Sequence, residues 1–271
     1  MFNTRCWPAD FFLTMATNLL VLSDLHLSRA SVERNALFLR FLESALQEKE
    51  EVLIVGDLFE LWLGWDHLTF EYQKPILEGM RDLAASGLIL DYVEGNRDFG
   101  IRRYQGTIFR NVSNFALERE WGRFRLYVEH GDLINQSDKA YRVWRTLSKN
   151  RFSFFLLEHL PSSLLLNLTS GIERKLRATN LKYKTLYPEE LCRNFYTTHF
   201  RLGMDIVIVG HFHCEKEVSM TVENRNVLFY NLPGWEQGFR FLVIPQETEK
   251  PHFENWEGKR WKYFNGVQAG L

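Results

Sequence analysis

Five short polar segments, each set directly behind an apolar run, constrain this chain more than any other feature. They read Asp24-Leu25-His26, Gly56-Asp57, Gly95-Asn96-Arg97-Asp98, His130-Gly131-Asp132 and Gly210-His211-Phe212-His213. The runs ahead of them include 18–23 (NLLVLS), 52–55 (VLIV), 88–94 and 205–209 (DIVIV), continuous enough to be strands buried on both faces. Asp, Asn and His side chains at the ends of neighbouring strands can hold two divalent cations close together. Two such ions are a device for attacking phosphorus.

Taken singly, each segment has an ordinary reading. Asp24-x-His26 suits a solvated turn, Asp57 a helix N-cap, and Gly95-Asn96 a tight turn. A lone histidine such as His130 at a strand end is more often structural than a ligand. His211-x-His213 is the strongest single signal, because one loop then offers two imidazoles. The weight lies in the joint order: five ordinary readings would have to coincide along one chain.

The periodicity predicts helices over 32–49 and 70–86 between the first three strands, the βαβ alternation of a parallel sheet. Later runs at 114–120, 123–129, 217–222, 227–231 and 239–244 read as shorter strands of antiparallel kind. The expected fold is therefore α/β, with two mixed sheets packed together and helices outside. Between the fourth and fifth motifs, 133–202 reads as a helical insertion. It interrupts a core of 15–132 and 203–247, with 1–14 and 248–271 as terminal extensions. Residues 142–184 hold nine Lys or Arg against two acids, and 152–168 is densely apolar. An oily and basic helical cap suits an amphiphilic anion or a membrane surface, although ordinary subdomain packing has the same pattern.

A net charge of -1 over 271 residues supplies no field for nucleic acid. The three cysteines, Cys6, Cys192 and Cys214, are too few and scattered for a disulfide framework, which suits a reducing cytosol. No apolar stretch reaches the roughly 20 residues of a membrane span. Residues 1–17 lack the apolar region of a signal peptide, and Met15 offers a second plausible start. The expected location is the cytoplasm, with peripheral contact to the membrane through the cap.

The five motifs, in this order over about 18–244, resemble the calcineurin-like metallophosphoesterase superfamily, whose fold is a two-sheet sandwich flanked by helices. The resemblance implies one ion held by Asp24, His26, Asp57 and His213. It implies a second held by Asp57, Asn96, His130 and His211, with Asp57 bridging. A narrower resemblance rests on Arg97, where most of the superfamily has histidine, on the contexts SDLHLS, GDLFELW and GNRDF, and on the helical cap. It is to the branch of UDP-2,3-diacylglucosamine diphosphatases of lipid A synthesis.

That branch implies cleavage of a nucleotide-linked lipid diphosphate at the inner leaflet, with two divalent ions, most often Mn²⁺. Asn96 and Arg97 would hold phosphoryl oxygens, since a guanidinium grips a diphosphate with a planar fork of donors. A surface ion pair with Asp98 is the plainer reading of Arg97. Asp138 and Tyr141 fit the branch's first cap contacts by spacing, and Arg177, Asn180, Lys182 and Lys184 fit its later ones. Departures are Phe212 in place of a threonine, Pro233-Gly234-Trp235 in place of Gly-Asp-Trp, and a tail over 250–271. The alternatives are a metallophosphoesterase for another nucleotide-diphosphate compound or a phosphodiester, and a metal-free binding module on the same fold.

Overall fold

The computed structural model describes residues 18–159, 161, 165, 171, 187–247 and 249–256. Its first sheet contains β1 (Asn18–Leu22), β2 (Glu51–Val55), β4 (Ile89–Val93), β6 (Asn111–Ser113), β12 (Arg240–Pro245) and β13 (His252–Asn255). They lie in the order β13-β12-β1-β2-β4-β6. The central strands β1, β2, β4 and β6 are parallel, whereas β12 and β13 run antiparallel on one edge.

The second sheet contains β7 (Ala116–Trp121), β8 (Phe124–Glu129), β9 (Ile206–Val209), β10 (Lys216–Val222) and β11 (Arg225–Asn231). Its order is β10-β11-β9-β8-β7, with β8, β9 and β11 parallel and both edges antiparallel. A two-stranded pair, β3 (Trp62–Leu63) with β5 (Asp98–Phe99), sits apart from both. The fold is the expected α/β sandwich of two mixed sheets.

Alternation along each strand builds the layers. Leu19, Val21, Leu53, Val55 and Val93 of the first sheet meet Leu126, Val128, Ile206 and Ile208 of the second, and all are buried. The opposite faces are covered too. Leu20, Leu22, Val52, Ile54 and Tyr92 pack under α1 (Val32–Gln47) and α2 (Lys74–Ala85). Tyr127, Val207, Val209 and Phe229 pack against Cys192, Tyr196 and Phe200 of the helix Glu189–Arg201. Two-sided burial is why these strands are apolar runs and not alternating ones.

Local differences from the sequence reading have simple causes. The second helix begins at Lys74, with Pro75 in its first turn where a missing N–H costs nothing. The residues before it form a turn tied to the core: Phe70 N–H donates to Gln73 Oε1 (3.0 Å), and Gln73 Nε2 donates to Leu61 O (2.8 Å). Strands β3, β5 and β6 are two or three residues long, too short to show a period. The tail contributes β13, and the Trp256 ring meets Phe41 edge-on at 6.1 Å.

Within the segment expected as a cap, α3 (Lys139–Ser148) and α4 (Arg151–His159) are described, and the helix Glu189–Arg201 becomes α5. Helix α4 rests on the loop after β3. Phe154 meets Trp65 edge-on at 5.3 Å, and His67 Nε2 donates to Leu157 O at 3.1 Å. Val143, Leu147, Phe152, Phe155 and Leu156 are exposed. No helix among the described residues is long and apolar enough to cross a membrane.

Candidate metal centre

All five motifs begin where a parallel strand ends: β1, β2 and β4 in one sheet, β8 and β9 in the other. The loops continue the ladder briefly before they diverge. Asp24 N–H donates to Gly56 O (3.1 Å), His26 N–H to Asp57 O (3.1 Å), and Gly210 N–H to His130 O (3.0 Å). The backbone then turns sharply. Among the described residues nine non-glycine positions have positive φ, and five of them are Asp24, Asp57, His26, His211 and His213. Conformations that disfavour a Cβ gather at sites where function requires them.

The side chains form two clusters. In the first, Asp24 Oδ1 lies 3.1 Å from His213 Nε2 and 3.8 Å from His26 Nε2. The two imidazoles stack at an interplanar angle of 12°, with their Nε2 atoms 3.3 Å apart. In the second, Asn96 Oδ1 lies 3.0 Å from His130 Nε2 and 3.1 Å from His211 Nδ1. Asp57 Oδ1 is 3.7 Å from His130 Nε2. Ligand atoms of Asp24, His26 and His213 fall within 4.8 Å of one another, as do those of Asp24, Asp57 and His130. Asp24 is thus common to both groups, and its Oδ2 accepts from His211 N–H at 2.8 Å.

Burial pushes His26 down to about 3, against the pull of the Asp57 and Asp24 carboxylates. Burial likewise lowers His211, so both imidazoles are neutral and carry a lone pair. Burial works to raise Asp24, yet His213, His130 and His26 hold it well below the usual carboxylate range. His26 Nδ1 is buried with no hydrogen-bond partner among the described residues. Buried carboxylates and imidazoles that face one another out of water fit a divalent cation, and a mixed N/O donor set suits a borderline transition metal.

The seven expected ligand residues therefore come together, and around them stand contacts that the sequence reading did not anticipate. Asp98 Oδ2 accepts from Asp57 N–H (2.8 Å), Gly95 N–H (2.7 Å) and Tyr92 O–H (2.8 Å), so it ties the second motif to the third. Burial and the nearby Asp57 charge push Asp98 up to about 7. Gly95 must lack a side chain, because a Cβ there would lie 2.3 Å from Asp57 Oδ1. His213 Nδ1 lies 3.6 Å from Glu236 Oε1, and the other Glu236 oxygen is 3.4 Å from Arg34 Nη1.

Arg97 is buried, not a surface residue paired with Asp98. Its backbone N–H donates to Asp57 Oδ1 (3.0 Å), its Nε lies 3.4 Å from Asp57 Oδ2, and its Nη1 donates to Glu60. In the segment expected as a cap, Asp138 is the N-cap of α3 and accepts from Tyr141 N–H at 2.8 Å. Tyr141 O–H donates to Asp132, which also accepts from Arg145 Nε at 2.8 Å. Arg177, Asn180, Lys182 and Lys184 lie outside the described residues.

Comparison with known proteins agrees with this arrangement. The profile of the calcineurin-like phosphoesterase family matches residues 17–215. A protein of Pseudomonas fluorescens named UDP-2,3-diacylglucosamine hydrolase is 33% identical, across 86% of this chain and 98% of its own length. One of the same name from Azotobacter vinelandii is 31% identical across 80% of this chain and 90% of its own. Another, from Pseudomonas putida, is 28% identical across 87% and 99%. With most of the chain matched, and with every motif of the match converging on one rim, the protein belongs to the calcineurin-like phosphoesterase family.

Proposed function

We propose that the protein hydrolyses the diphosphate of UDP-2,3-diacylglucosamine to UMP and 2,3-diacylglucosamine 1-phosphate, using two divalent ions, with Mn²⁺ as the assigned metal. The observation that carries the reading is the pair of clusters, Asp24/His26/His213 and Asn96/His130/His211 with Asp57 beside them. It occurs in a chain similar over most of its length to proteins named UDP-2,3-diacylglucosamine hydrolase.

Asp24, His26, Asp57 and His213 would hold one ion, and Asp57, Asn96, His130 and His211 the other. When bound, such ions polarise phosphoryl oxygens and lower the pKa of water. The chain's own residues supply orientation and charge. His130 Nδ1 donates to Val55 O at 2.9 Å, which aims its Nε2 at Asn96. The Arg97 guanidinium would stabilise charge on the diphosphate through its planar fork of donors. Asp57 and Glu60 fix this group from two sides.

We assign the acyl chains to the insertion over 133–202, where α3 and α4 expose Leu147, Phe152, Phe155 and Leu156. Asp138, Tyr141, Arg177, Asn180, Lys182 and Lys184 would serve the headgroup. This face would rest on the cytoplasmic side of the membrane, as an amphipathic surface does. The test is UMP release from UDP-2,3-diacylglucosamine in detergent, with and without Mn²⁺. Strong Mn²⁺-dependent release supports the reading. Absence of release, with turnover of a simple phosphodiester retained, would discard the lipid substrate and keep the metal centre.

A further inference from the structure

We infer that the first helix of the insertion sets the position of the loops around the Asn96/His130/His211 cluster, and that Lys149 is the positioning residue through which it does so. The inference rests on the proposed role of those three residues as ligands of one ion.

Lys149 stands immediately after α3, yet its side chain is turned into the core and is only 9% exposed. Its ammonium donates to Gly95 O at 2.7 Å, lies 3.3 Å from Glu94 Oε2, and sits 5.4 Å from the centre of the Phe99 ring. All three partners belong to the core. The other Glu94 oxygen accepts from Ile101 N–H at 2.7 Å, so the carboxylate that faces Lys149 is itself fixed. A solvated surface lysine samples many rotamers and contributes little. This one is desolvated and has its donors committed.

The residue it grips matters. Gly95 has no side chain with which to hold its loop, so the loop is held by backbone atoms. Gly95 N–H is bound to Asp98 Oδ2 at 2.7 Å, and Gly95 O is bound to Lys149. That carbonyl belongs to the peptide that leads into Asn96, whose Oδ1 lies 3.0 Å from His130 Nε2 and 3.1 Å from His211 Nδ1. The helix has a second anchor on the same cluster. Arg145 and Tyr141 both bind Asp132, two residues beyond His130. One helix of the insertion thus grips the loops that carry Asn96 and His130. Partners one bond removed from a ligand set its orientation, and losing them weakens metal binding about 10- to 100-fold.

The experiment is calorimetric titration of Mn²⁺ into the metal-stripped full chain, comparing wild type with Lys149→Met, Lys149→Arg and Glu94→Gln. The expected result is two binding events in wild type. Lys149→Met loosens one of them by about 10-fold or more and leaves the other in place. Lys149→Arg, which keeps a donor for Gly95 O, restores most of the loss, and Glu94→Gln falls between. Two unchanged events in Lys149→Met would overturn the inference while the two-ion reading stands. Equal weakening of both events in Lys149→Met and Lys149→Arg would also overturn it, as general damage to the fold. Should Lys149→Met fail to fold, Glu94→Gln decides by the same criterion, one event weakened or none. A wild type that binds no Mn²⁺ would remove the functional reading and this inference together.

Discussion

The Nδ1 proton of His130 is held by the backbone carbonyl of Val55 at 2.9 Å. Val55 ends β2 in one sheet and His130 follows β8 in the other, so this bond registers the two halves of the sandwich at the centre of the site. It also decides which imidazole nitrogen faces Asn96. A site assembled from five loops requires such cross-braces, and they give the mutations below their expected effects.

Gly56 lies between Val55 and Asp57 with φ +76°, and a Cβ there would stand 2.4 Å from His130 Nδ1. Gly56→Ala is expected to cost roughly 2 kcal/mol or more, from strain at positive φ and displacement of the imidazole. Urea unfolding of the metal-free protein reads the stability, and bound metal per chain reads the site. Wild-type values of both would show that the loop relaxes freely.

Asp57→Ala removes the carboxylate that faces His130 Nε2 and accepts from Arg97 N–H. Bound metal, measured by elemental analysis after gel filtration, is expected to fall, and turnover to be lost. Near-normal turnover in this variant would contradict the assignment of Asp57 as a shared ligand.

Arg97 and Glu60 are buried partners. Arg97→Ala is expected to slow kcat by about 10²- to 10³-fold, the scale of one lost donor to the transition state. Arg97→Lys keeps the charge and loses the fork, so it recovers only part of that rate. Equal rates for arginine and lysine would reduce the residue to a point charge.

Chelation is expected to lower the melting temperature, because the carboxylates and imidazoles of the two clusters then face one another without a cation. Added Mn²⁺ should raise it with concentration, as the folded state gains roughly 3 kcal/mol at a hundredfold excess over Kd. A melting temperature indifferent to Mn²⁺ would mean that the folded state does not bind the ion.

The two described cysteines should differ in reactivity. Burial against the second sheet pushes the Cys192 thiol up to about 11, so little thiolate exists at pH 8. Cys214 is half-buried beside His213. In a Cys6→Ser background, a thiol reagent at pH 8 should titrate Cys214 readily and Cys192 only on unfolding. Fast labelling of Cys192 at pH 8 would show that α5 detaches from the sheet.

The main strands and the candidate ligands were legible because their signals are local. A strand covered on both faces must be apolar throughout, as in Ile206–Val209, and a glycine with Asp, Asn or His just beyond its end marks a loop that turns sharply. The chain alone therefore determined the sandwich, the five loops and the seven residues that converge. It did not determine what those residues lean on. Arg97 pairs with Glu60, Asp98 gathers three donors, and Lys149 reaches back across 54 residues to Gly95. Such choices depend on which loops meet once the sheets close. Pairing a buried charge is a property of three-dimensional neighbours, and no spacing along the chain encodes it.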